Sequence, residues 1–240
     1  MTSWQGAWRL LRFDGSRSWI GLLITIVFVS YMIVVMMPIF DDLHQHENTG
    51  GSFWGYDLVY LSILPTMGFL MNRSVLQYWG RDPYTRYNAY LRTMPIGWNT
   101  IILARLLQFI VVLTIVSLYF FTLQYVALNE LRELMTPGEY VIFSFIWYGY
   151  AMMAGSTYVF FEQSVKGKIY MFICFCYLLL YALVGLMLWQ ADTHLMFTAI
   201  EVSRDHSILW PLLSVLLGFT VAALMGVLIW KRNTKRNLLE

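Results

Sequence analysis

One short stretch, "DDLHQHEN", sets Asp41, Asp42, His44, His46 and Glu47 close together, and these are the residue types that hold a divalent metal ion. Their spacing matches no established metal-site pattern, and an acidic, solvated loop explains the run. Ser156, in "AGSTY", is a candidate nucleophile, but a nucleophilic serine needs a base within hydrogen-bond reach. All four histidines, His44, His46, His194 and His206, fall between apolar runs rather than at the depth of that serine. The Gly-Lys pair in "VKGKIY" lacks the upstream glycine and the following hydroxyl residue of a phosphate-cradling loop, so the chain is not expected to hold ATP phosphates itself. Cys174 and Cys176 stand two apart on one helix, about 200° around its axis, so neither a disulfide between them nor a metal pair is expected. No catalytic, cofactor-binding or metal-ligating residue is assigned, and the chain is not read as an enzyme.

The elements that carry these residues are dominated by hydrocarbon. With 59% hydrophobic and 12% charged residues in 240, the chain departs from soluble usage toward that of a membrane protein. A span needs roughly 20 apolar residues to cross about 30 Å of hydrocarbon. Six such runs are predicted: Ser18 to Phe40, Phe53 to Asn72, Thr100 to Leu128, Tyr140 to Phe161, Ile169 to Gln190 and Ile208 to Trp230. The fold expected is therefore an all-α membrane protein, a single membrane domain over 1–240 with six transmembrane helices across 18–230 and a basic tail over 231–240. Span 1 is too long for a signal-peptide apolar region and is read as retained.

All of the 16 Lys and Arg except Arg132 and Arg204 fall on one side of this arrangement. Both termini are accordingly expected in the cytoplasm. Asp41, Asp42, Glu47, Asp57, Glu130, Glu133, Glu139, Asp192, Glu201 and Asp205 fall on the opposite side. The net charge of +2 thus averages a basic inner face and an acidic outer one, and it gives no argument for a nucleic-acid partner.

Ahead of span 1, residues 1–13 form a candidate amphipathic helix: Trp4, Ala7, Trp8 and Leu11 share one face, and Gln5, Arg9 and Arg12 share another. Leu10 and Phe13 fall off the apolar face. Such a helix either lies in the headgroup layer against membrane lipids or serves only as a basic leader that orients span 1. Pro65 is expected to kink span 2. Asp57, near the outer end of that span, reads as a surface-facing hydrogen-bonding group. Gly218, Ala222 and Gly226 make a small-residue ridge on span 6 for close helix packing, within the chain or with a second copy. A short helix is expected around Leu195 to Val202.

Between spans 2 and 3, "RDPYTRYNAYLRTMPIGWN" predicts a short cytoplasmic helix, with Asp82 as N-cap, Pro83 at the first helical position and Pro95 as the stop. Tyr84, Tyr87, Leu91 and Met94 fall within about 80° of arc, with Thr85, Ala89 and Arg92 on the far side and Arg86 at its margin. An aromatic face of this kind either docks in a groove on a soluble partner or rests on the membrane surface.

The run "YLRTMPIGWNTIILARLL", Tyr90 to Leu107, resembles the stretch after the second span of type-2 ATP-binding cassette exporter permeases. That stretch often reads leucine, a few residues, a Leu-Pro-Ile-Ser-like turn, and then an apolar helix carrying a basic residue. Here Met94, Pro95 and Ile96 stand at the turn, Gly97 replaces the usual small hydroxyl residue, and Arg105 is the basic residue. The six-span layout, the leader helix and the short outer helix before span 6 are similar to that family as well. The acidic residues that many members carry ahead of the turn are reduced here to Asp82.

The resemblance implies that the helix Tyr84 to Thr93 is the coupling element seated in a cleft of a separate ATPase subunit. Tyr84, Arg86, Tyr87, Tyr90, Leu91, Arg92 and Pro95 would serve that contact, supported by the leader helix with Trp4, Trp8, Arg9, Leu11 and Arg12. It implies ATP and Mg bound in the ATPase chain, and a second permease, identical or different, across the membrane. It also implies export of a hydrophobic or amphipathic substrate, whether lipid, peptide or drug, across a bacterial cytoplasmic membrane. Two other classes remain open on the residues alone: an ion-coupled carrier, and a stand-alone immunity or sensory protein.

Overall fold

The computed structural model describes residues 2–45, 55–71, 90–91, 93, 96–191 and 193–234. Regular structure among them is α-helical throughout: α1 (Ser3–Arg17), α2 (Trp19–Gln45), α3 (Gly55–Thr66), α4 (Trp98–Ala127), α5 (Asn129–Leu134), α6 (Pro137–Ser164), α7 (Gly167–Gln190), α8 (Leu195–Arg204) and α9 (Leu209–Asn233). Four of these are long and apolar enough to cross a membrane: the Trp19–Pro38 part of α2, α4, α7 and α9. They coincide with predicted spans 1, 3, 5 and 6.

The other two predicted spans take a different form. α6, with 28 residues, has the length, but tyrosine, tryptophan, glycine and serine lower its apolar character, and these residues face protein neighbours. α6 packs against α3, α4, α7, α8 and, most extensively, α9. Its entry is fixed by Pro137 at the first turn and by Glu139, whose carboxylate accepts the Thr136 backbone N–H at 2.8 Å. That bond holds the Glu139 carboxyl below the usual carboxylate range.

Span 2 is a helix of 12 residues, about 18 Å at 1.5 Å per residue, rather than the continuous run expected to Asn72. Pro65 is the cause. It has no N–H to offer the Leu61 carbonyl one turn back, and the Tyr150 hydroxyl of α6 donates to that carbonyl instead, at 2.8 Å. The helix then closes in tight turns, Met67 N–H to Leu64 O and Phe69 N–H to Thr66 O, and the Met71 N–H is taken by the Thr25 hydroxyl of α2 at 2.9 Å. A backbone break inside hydrocarbon is tolerable only when its polar groups find such partners.

Helix directions follow from the paired residues. Ser30 meets Tyr119 and Met36 meets Gln124, so α2 and α4 run parallel; Thr114 meets Tyr148 and Gln124 meets Tyr140, so α6 runs against α4. Ser214 donates to the Ile146 carbonyl and Gly218 lies beside Gly149, so α9 runs parallel to α6. At this crossing the two backbones nearly touch. A Cβ built on Gly149 would lie 2.4 Å from the Ser214 carbonyl carbon, and one on Gly218 would lie 2.9 Å from the Gly149 oxygen. Ala222 is buried one turn on, and Gly226 faces Leu106 of α4. The ridge on α9 thus lies against α6 and α4 of the same chain.

Gly149→Ala is expected to force the α6 and α9 backbones apart at a cost of about 1–3 kcal/mol, the range for overpacking a close contact. Gly15→Ala, whose Cβ meets open space, should be neutral or slightly stabilising. Thermal unfolding of both variants in detergent, followed by tryptophan fluorescence, checks this: only Gly149→Ala should lower the midpoint.

Candidate functional site

Two residues of opposite charge meet between α4 and α6 at the end of the bundle where the lysines and arginines gather. Arg105 donates to Glu162 through Nε at 3.0 Å and through Nη2 at 2.8 and 2.6 Å, and its Nη1 reaches the Gln108 side chain at 2.9 Å. The Glu162 side chain is 1% exposed and that of Arg105 is 15% exposed. A fork of this geometry is the strongest form of carboxylate pairing, and burial leaves neither charge a cheap alternative. The guanidinium also lies 5.7 Å from the centre of the Phe69 ring, on the turn that follows α3. One side chain therefore ties α4 to α6 and to the break in span 2.

The same break is locked from two sides. A Cβ on Gly68 would come within 2.2 Å of the Phe109 ring, and one on Gly155 would meet that ring at 2.5 Å and the Pro65 carbonyl at 3.0 Å. Phe69 packs on Phe109 and edge-on against Tyr158. Glycine is required at both positions because the turn, α4 and α6 share one small volume.

α1 lies along the start of α4. The helix runs to Arg17, four residues beyond the predicted end at Phe13, and the Thr2 hydroxyl accepts the Gln5 N–H at its start. Ala7 is fully buried and Gly6 abuts Thr100, while Leu10, Leu11 and Asp14 are half-buried. Trp4 and Trp8, grouped with Ala7 on the helical wheel, are instead exposed, as is Phe13, and Arg9 and Arg12 are exposed beside them. The reason is steric: small residues let α1 come close to α4, and the tryptophans are displaced outward. Of the predicted coupling residues, Tyr84, Arg86, Tyr87, Arg92 and Pro95 lie outside those whose side chains the structure describes. Tyr90 is exposed, whereas Leu91 is buried, and both stand shortly before the Gly97 cap of α4.

At the opposite, acidic end, Asp57 is buried rather than surface-facing. Its two carboxylate oxygens accept the N–H groups of Leu195 and Met196 at 3.2 and 3.0 Å, so α3 caps the first turn of α8. His194 Nδ1 stands 3.5 Å from the same carboxylate. Arg204 at the other end of α8 donates to the Leu134 carbonyl at 3.0 Å. Below this cover, Gln124 donates to the Tyr60 hydroxyl at 2.8 Å and accepts from Tyr140 at 3.0 Å, all three being buried.

Among the described residues there is no group of three metal-ligating side chains, and Ser156 donates to the Met153 carbonyl within its own helix. The polar contacts described above instead join one helix to another. Glu162 and Gln124 were passed over at the level of sequence. Glu162 falls one residue beyond a predicted span, so it reads as a border residue. The available signal was an acid and a base at matching depth on neighbouring spans, Arg105 seven residues into α4 and Glu162 two residues before the end of α6. No family model, no curated protein and no solved structure matches this chain.

Glu162→Gln leaves a buried guanidinium with a weaker partner and is expected to destabilise the protein by about 3 kcal/mol, near the range for breaking one half of a buried pair. Arg105→Met combined with Glu162→Leu removes both charges and should recover most of that loss. Unfolding midpoints of the two variants in detergent measure the difference.

Proposed function

We propose that the chain is the membrane permease subunit of an ATP-binding cassette exporter, with six spans (α2, the broken α3 with its turn, α4, α6, α7 and α9) and a cytoplasmic basic end. ATP and Mg would be bound by a separate ATPase subunit, and a second permease copy or paralogue would complete the pathway. The cargo would be a hydrophobic or amphipathic molecule moved outward across a bacterial cytoplasmic membrane. One observation carries this reading beyond the likeness at Tyr90 to Leu107: α1 is packed along the beginning of α4, the helix that directly follows the coupling segment. A push on that segment therefore meets a reinforced lever. Trp4, Trp8, Phe13 and Tyr90 remain exposed, as a docking or interfacial surface requires.

In this mechanism, closure of the ATPase pair pushes on the coupling helix and tilts α4. Arg105 passes the movement to α6 through Glu162 and to the break in span 2 through Phe69. α6 carries α9 with it, because their backbones are in contact at Gly149 and Gly218 and leave no slack. The path for cargo opens where helices held by fewer contacts separate.

The reading is tested by purifying the tagged protein in mild detergent from its native host, with mass spectrometry and an ATPase assay. A stoichiometric nucleotide-binding subunit is expected. Replacing Tyr84, Tyr87 and Tyr90 together by Ala should reduce its recovery about tenfold or more, as loss of aromatic anchors does. Leu91 is left unchanged because its burial would mix a packing defect with loss of contact. Recovery of folded protein with no ATPase, or equal ATPase recovery with the triple variant, overturns the proposal.

A further inference from the structure

α7 is attached to the bundle differently from its neighbours. Only Gly167, Tyr181 and Gly185 are buried along its 24 residues. Its inward edge, Cys174, Tyr177, Tyr181 and Val184, repeats at three and four residues and packs against the core, where α7 touches both α3 and α6. The Thr157 and Tyr177 hydroxyls are 2.8 Å apart, and Tyr158 donates to the Tyr181 hydroxyl at a longer 3.4 Å. Tyr158 and Tyr177 pack ring against ring at 4.5 Å. The Tyr150 hydroxyl, about two turns away on α6, is committed to the Leu61 carbonyl freed by Pro65. Three tyrosine hydroxyls and a threonine hydroxyl thus meet along one seam, Tyr158 and Tyr181 buried and Thr157 and Tyr177 half-buried at its edge.

Two physical points decide what this seam can do. Helices in lipid gain nothing from burying aliphatic surface against one another, so a contact made of a few hydroxyl pairs is among the weaker ones in the bundle. Hydroxyls also exchange partners without leaving a charge behind, since each can donate and accept. Glu162, the nearest carboxylate along α6, is already occupied on two sides by Arg105. The seam therefore offers neutral hydrogen bonding with aromatic walls, reached through the half-buried Thr157 and Tyr177.

We infer that the α6–α7 seam is a binding site entered from the bilayer for a neutral amphiphile, an apolar chain bearing hydroxyl or ester groups, whose polar atoms replace the Thr157–Tyr177 and Tyr158–Tyr181 hydrogen bonds. The apolar chain lies along the exposed side of α7, where Phe172, Phe175 and Leu179 face outward. An anionic headgroup is excluded because nothing in the seam neutralises it. The inference deepens the export reading by naming the substrate class, and it rests on that reading only for the claim that the bound molecule is moved.

The test is photolabelling of the full-length protein in neutral phosphatidylcholine vesicles, without nucleotide, using a diacylglycerol with a diazirine in one acyl chain. The matching phosphatidic acid serves as the anionic comparison. Labelled peptides from α6 and α7 are expected, competed by unlabelled diacylglycerol and not by phosphatidic acid. Tyr158→Phe with Tyr181→Phe keeps the rings and should reduce that labelling about five- to tenfold, the effect of losing two neutral hydrogen bonds. Thr157→Val carries the same expectation in a smaller degree should the double variant not fold. Label spread evenly over α2 and α9, equal labelling by the anionic probe, or undiminished labelling of the variants overturns the inference. Because no ATPase is present, seam labelling in a protein that recovers no ATPase would sink the exporter reading alone, and the reverse result would sink this one alone.

Discussion

A helix surrounded by hydrocarbon gains nothing by exchanging lipid for leucine, and the whole arrangement of this chain follows from that constraint. Association has to come from close backbone approach, hydrogen bonds and charge pairing, and α6 gathers all three. Glycine brings it against α9, tyrosine hydroxyls join it to α3 and α7, and Glu162 binds it to α4. The large aliphatic side chains are left to face outward on α2, α7 and α9. The least apolar of the long helices is thus the one around which the others are organised.

Polar chemistry is distributed along α6 by depth. Near the acidic end it takes part in the Tyr60, Gln124 and Tyr140 cluster; farther along it supplies Tyr150 to the Pro65 break; near the basic end it presents Glu162. The first and last of these contacts reach α4 at its two ends, and the middle one reaches α3. α4 and α6 are thus tied at both ends of their crossing, with α3 fastened between. The seam with α7 stands apart from this scheme in carrying neutral hydroxyl pairs and ring contacts.

Much of the helical layout was legible because hydropathy reports length, and length is what crossing a bilayer demands. The predicted runs at Thr100 to Leu128 and Ile169 to Gln190 agree with α4 and α7 within a few residues. Span 2 was not legible to the same degree. Hydropathy carries through Pro65 without interruption, whereas the helix stops at Thr66 because the chain turns and distant side chains take up the freed backbone groups. Asp57 was misread for a related reason: its partners are N–H groups 138 and 139 residues away, invisible to any local pattern. The wheel for α1 placed Trp4 and Trp8 with Ala7 correctly in angle, yet size, not hydrophobicity, chose which part of that arc would pack. Of the proposed coupling surface, Tyr90 and Leu91 alone have described side chains, and they split between exposed and buried.

The shortness of α3 also bears on how the chain is made. At about 18 Å it falls well short of the roughly 30 Å hydrocarbon layer, and its end is completed by Thr25 before it in the sequence and by Tyr150 and Phe109 after it. A segment of this kind has little to hold it in the bilayer while the ribosome has delivered only the first third of the protein. Its final depth must be settled late, when α4 and α6 arrive to receive the turn at Gly68. On the six-span reading proposed above, the protein then fits an early helix to later ones, and the settled position of span 2 depends on sequence that is translated after it.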